Sequence, residues 1–140
     1  NQGRSWFVKD TRLITRHPGI GAGYETLRLA CLLAALIARN PVHEESRTAV
    51  AGLLRDAFAA FASAARPDIV YLKSLYRFAR DEGYPLKQHW FPTLTAADRS
   101  ELIAAINLPL AGQTAAPEAI ARLQRHLEAY LRGHTEILLE

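Results

Sequence analysis

The chain has no methionine, one cysteine, and no apolar run long enough to cross a membrane. Each shortage excludes something. A lone Cys31 forbids an intrachain disulfide and a cysteine-based zinc site, and points to a reducing, cytoplasmic setting. The longest apolar stretch stops at Arg39 and falls short of the roughly 20 residues a spanning helix needs. A basic head followed by an apolar run, the mark of a secretory signal, is missing. So are G-x-S-x-G, H-E-x-x-H and a glycine-rich loop closed by Lys-Ser/Thr, so no enzyme activity is expected. The five histidines, His17, His43, His89, His126 and His134, never pair at i, i+4 or beside a second cysteine. They read as exposed or capping residues, and neither metal nor cofactor is expected. A chain that begins Asn1-Gln2-Gly3 without methionine reads as a fragment or processed product of a longer protein.

What is present is an ordinary globular composition. Across 140 residues, 49% hydrophobic and 22% charged content argues for one folded domain and against disorder. A net charge of +3 permits nucleic-acid binding without demanding it. The stretch 24–40 is apolar on nearly every side of a helical projection, with Glu25, Arg28 and Arg39 on a narrow strip that also holds Leu32 and Ala35. It reads as a buried central helix, with Cys31 a small core residue.

The remaining helices follow from 3.6-residue periodicity. A second is expected over 46–64, with Ser46 as N-cap and Val50, Leu53, Leu54, Ala57, Phe58 and Phe61 inward. A third is expected over 68–82, stopped by Gly83. An aromatic, proline-containing loop covers 84–94. Thr95 to Asp98 resembles a capping box that opens a short helix to Ile106, with Leu102, Ile103 and Ile106 inward. Pro117 starts a last helix expected to end at Arg132, before a short apolar tail. Residues 1–5 read as a frayed start, and 6–14 as an extended segment or a turn or two of helix. No segment reads as a paired strand. The fold class is all-α: an irregular bundle of five or six helices around a buried central helix.

Charge patterning separates two of these helices. On the last one, Glu118 with Arg122 and Glu128 with Arg132 fall at i, i+4, the pattern of a solvated face. On the third, Lys73, Arg77 and Arg80 form a stripe opposite the inner face of Leu72, Leu75, Tyr76 and Ala79, with Asp81 the one acidic neighbour. Tyr76 borders that stripe. Such a stripe reads first as another solvated face, and beside that as a surface that can hold phosphates or an acidic peptide. Gly19, Gly21 and Gly23 lack the preceding strand and the lysine of a phosphate loop, and read as a lead-in to the central helix.

Three landmarks resemble the RecO recombination-mediator family. Leu13-Ile14-Thr15-Arg16-His17-Pro18-Gly19-Ile20, followed by Tyr24-Glu25-Thr26-Leu27-Arg28-Leu29-Ala30, is similar to the join between that family's N-terminal domain and its helical domain. Phe78-Ala79-Arg80-Asp81-Glu82-Gly83-Tyr84-Pro85 resembles the family's helix ending in a Gly-Tyr pair. Leu123 to Leu131 resembles its C-terminal helix with the Tyr-Leu ending. The resemblance implies a linker over 1–21 from a missing OB-fold-like domain and a helical domain over 22–140. It implies a non-enzymatic bacterial factor in DNA repair and recombination. Its implied partners are DNA, a RecR-like protein and the acidic tail of single-strand-binding protein, and the implied tail site is Lys73, Tyr76, Arg77 and Arg80. The chain departs from the family where many members carry a zinc-binding cysteine cluster: here Leu86-Lys87-Gln88-His89-Trp90-Phe91 stands. The usual basic, serine-containing tail is replaced by Thr135 to Glu140. Two other readings stand beside this one. One is a helical adaptor unrelated to repair, docking through the Leu32 strip or the aromatic loop. The other is a small enzyme with an unrecognised site.

Overall fold

Apolar residues at three- and four-residue spacing fold into five α-helices: α1 (Tyr24–Arg39), α2 (Arg47–Ser63), α3 (Pro67–Asp81), α4 (Ala96–Asn107) and α5 (Pro117–His134). The computed structural model describes residues 7–63 and 65–140. No strand occurs among the described residues, and the molecule is all-α as the periodicity predicts. The expected fraying of 1–5, the start of the following segment at Trp6 and the expected end of α2 at Ala64 lie outside the described residues. Over 7–17 there is no regular structure, so the alternative of a short helix there is not taken up. Packing begins with a 3-10 turn, Pro18–Ala22, laid against α1 and α2, inside the stretch read as linker.

The central element is α3, not α1. Nine of the 15 residues of α3 are buried, and it packs against α1, α2, α4 and α5. Only five of the 16 residues of α1 are buried, Tyr24 is 80% exposed, and Cys31 faces solvent. The reason lies in side-chain size. Much of the outer face of α1 is alanine and cysteine, whose small apolar surfaces lose little by staying wet. α3 buries rings and branched chains on nearly all sides: Ile69, Leu72, Leu75 and Phe78 are sealed off, and Tyr71 and Tyr76 are almost so. Burial pushes the Tyr71 phenol up to about 12. Leu32 is partly buried against the core.

Glycine closes α3 through a specific geometry. Gly83 has φ +93°, and the amides of Gly83 and Tyr84 donate to the carbonyls of Arg80 (3.0 Å) and Ala79 (3.1 Å). This is a Schellman ending, which a side chain at Gly83 would strain. Tyr84 then accepts a hydrogen bond on its hydroxyl from the Glu136 amide at 3.0 Å, tying the C-terminal tail to the end of α3.

The aromatic stretch is core rather than loop. Residues Leu86–Trp90 make a π-helical turn and Phe91–Thr93 a 3-10 turn, with Leu86, Trp90 and Phe91 buried. Most of its ring surface is therefore spent on packing, with Phe91 at the edge of the core. α4 opens as expected, with the Thr95 hydroxyl accepting from the Asp98 amide at 3.1 Å. Ala105 joins Leu102 inside, while Ile103, expected inward, is 42% exposed. α5 continues through Gly133 to His134. The expected i, i+4 pairs on α5 do not form: Arg122 pairs with Asp98 at 2.8 Å and Arg132 with Glu140 at 2.6 Å. Both arginines find carboxylates on other segments, linking α5 to α4 and to the tail.

Candidate functional site

Lys73, Tyr76, Arg77 and Arg80, singled out on the helical projection of α3, line one cleft of about 400 Å³. The opposite wall comes from elsewhere in the chain: Lys87 and Phe91 from the aromatic segment, Ile103, Ile106 and Asn107 from α4. The Schellman ending at Gly83 reverses the chain so that 86–93 returns alongside α3. The Tyr76 and Phe91 rings lie 6.1 Å apart at 38°, joining the two walls. Four cations and no acidic side chain stand among the lining residues.

The four cations are not equally free. Arg77 donates to Asp56 of α2 at 2.8 Å and lies 3.6 Å from Asp81 one turn on. The stripe is thus neutralised further than its Asp81 neighbour alone would give, because α2 brings Asp56 across. Arg80 shares Asp81, at 3.0 Å, with its guanidinium half exposed. Lys73 donates to the Leu108 carbonyl at 3.0 Å, and burial lowers its ammonium below the ordinary lysine value. The Lys87 side chain is exposed. Arg80 and Lys87 are therefore the two cations best able to meet a ligand. Burial raises the Tyr76 phenol, keeping it neutral as an apolar edge.

A smaller apolar hollow of about 170 Å³ lies between α2 and α3, where Leu53, Ala57, Val70 and Leu110 meet the stems of Lys73 and Arg77. These two side chains thus border both cavities.

A third hollow, of about 280 Å³, borders the other side of the aromatic segment, between Trp90, Thr93 and α5. Trp90 is fully buried, and its indole N–H donates to Nδ1 of His126 at 3.0 Å. His134 stacks on Tyr130 with centroids 4.9 Å apart. Among the described residues, no group of three or more His, Cys, Asp or Glu side chains is placed to hold a metal ion. No described helix is long and apolar enough to cross a membrane.

Sequence reasoning found the α3 half of the cleft because one helix carries it. It missed Lys87, Phe91, Ile103 and Ile106, whose approach to α3 depends on the reversal after Gly83. Comparison of the chain with family models, with characterised proteins and with solved structures finds no match.

Proposed function

We propose that this chain is an interaction module, the helical domain of a RecO-type recombination mediator, and that its cleft takes an acidic peptide ending in an aromatic residue. The observation that carries the reading is one cleft combining four cations with an apolar floor of Phe91, Ile103 and Ile106. A terminal carboxylate suits the guanidinium of Arg80 and the ammonium of Lys87, and a terminal aromatic ring suits the Ile103 and Ile106 surface. The tail of single-strand-binding protein has that chemistry under this reading. A RecR-like partner, DNA, a bacterial source and a cytoplasmic location rest on the sequence resemblance.

Exposed ion pairs contribute only about 0.2–1 kcal/mol each, so binding is weak and salt-sensitive, micromolar or poorer. The test is fluorescence anisotropy with a labelled acidic peptide, beside one whose terminal carboxylate is amidated and one whose terminal aromatic residue is alanine. The reading expects binding that both changes weaken. Equal affinity for all three would contradict it.

A further inference from the structure

The aromatic segment has two faces, and they join two sites. One face supplies Lys87 and Phe91 to the cationic cleft; the other buries Trp90 against α5. Trp90 and Phe91 are adjacent, with ring centroids 6.0 Å apart. Whatever holds the indole therefore holds the cleft wall.

The hydrogen bond that holds it has a defined proton requirement. An indole N–H can only donate. Nδ1 of His126, 3.0 Å away, must therefore offer a lone pair, which fixes the neutral tautomer with the proton on Nε2. A doubly protonated imidazole would bring a second N–H against the indole N–H, in a place where Trp90 has no access to water. A buried donor without an acceptor is unfavourable, so the segment must shift or the ring must turn away.

Resting on the function proposed above, we propose that His126 is a positioning residue for the cleft: its neutral form holds Trp90, and through it Lys87 and Phe91, in the peptide-binding arrangement, and protonation releases that wall.

The charges around His126 set the background. Arg122 and Arg125 share its helix. From α4, Asp98 interacts with the imidazole charge and is itself bound by Arg122, and Glu101 acts on Arg122. Across the hollow stands His134, stacked on Tyr130. On the segment itself, Lys87 and His89 are exposed. The Trp90 contact itself needs an unprotonated Nδ1. The sign of the expected effect is diagnostic. Extra positive charge at low pH would strengthen binding of an acidic peptide by simple attraction, whereas loss of the wall weakens it.

The experiment follows the intact chain from about pH 7.5 to 5.5, across the usual imidazole range. The two readouts are the nitrogen–proton resonance of the Trp90 indole and peptide affinity. Wild type should show an indole shift that titrates together with the amides of Lys87 and Phe91. Peptide binding should weaken roughly three- to tenfold at the acid end, the scale of the net contribution of one hydrogen bond. His126→Asn, whose carboxamide oxygen can accept from the indole without titrating, should keep the pH 7.5 affinity and lose the pH dependence. His89→Gln and His134→Gln should leave the profile unchanged. An indole resonance that ignores pH, or a His126→Asn profile like that of wild type, would overturn the proposal. If no peptide binds at any pH, the proposed function fails by itself, and the Lys87 and Phe91 amides still decide whether His126 moves the wall. Their failure to titrate with the indole would overturn it.

Discussion

The side-chain amide of Asn40 pairs with both backbone polar groups of Leu138, 98 positions away. Its Oδ1 accepts from the Leu138 amide at 2.8 Å, and its Nδ2 donates to the Leu138 carbonyl at 2.9 Å and to the Leu36 carbonyl at 2.8 Å. Asn40 is 8% exposed, one of the few buried polar residues, and both ends of its amide are satisfied. It ends α1 and pins the tail that brings Ile137 into the core. Asn40→Ala should destabilise the fold by about 1–3 kcal/mol, because it strips partners from the partly buried backbone of the C-terminal tail. Urea unfolding measures the loss. Hydrogen exchange at Leu138 should accelerate more than exchange in α3.

Gly19 is required by closeness rather than by dihedral freedom. A Cβ built there would lie 2.1 Å from the carbonyl oxygen of Ala62 in α2, whereas one at Gly21 meets nothing within 4 Å. Gly19→Ala must push the Pro18–Ala22 turn off α2, at a cost of about 1–3 kcal/mol. Gly21→Ala should be neutral or stabilising by up to about 1 kcal/mol. Denaturation midpoints of the two variants, measured side by side, check the contrast.

Asp98 links stability to pH. The Arg122 guanidinium, donating at 2.8 and 3.1 Å, holds the carboxyl below its ordinary value of 3.8. A carboxyl lowered by folding contributes stability above its unfolded value and loses it as pH falls through the folded one. Asp98→Asn should therefore be less stable than wild type at neutral pH, with the gap narrowing as pH falls below 3.8. Thermal melts of both proteins across that range provide the check, and a gap independent of pH would contradict the assignment.

Helix positions were legible because apolar spacing and end signals agree. Pro67, Gly83, Thr95 and Pro117 lie at or beside helix ends as the sequence indicates. Centrality was not legible. The α1 sequence is apolar all round, but its outward alanines do not decide which helix lies in the middle, whereas the rings of α3 do. The segment 84–94 reads as a loop because its prolines disrupt regular helix, yet Trp90 is buried in the core and its indole N–H is satisfied by His126, 36 positions away. The cleft divides the same way. Its cations on α3 follow from periodicity, while Lys87 and Ile103 reach it through tertiary packing that no local pattern encodes.

Arg80 and Lys87 carry the proposed docking function as the most exposed cations of the cleft, Arg80 still sharing Asp81 at 3.0 Å, whereas Arg77 is held by Asp56 and Lys73 by the Leu108 carbonyl. Both project from exposed positions, so an Arg80→Glu/Lys87→Glu double variant should fold with near-native stability. The most direct measurement is titration of the labelled acidic peptide against wild type and this variant at low and moderate salt. Measurable binding by wild type that weakens with salt and is lost in the double variant is the expected result. Equal binding by the two proteins would contradict the cleft as the docking site, and no binding by wild type would contradict the docking function itself.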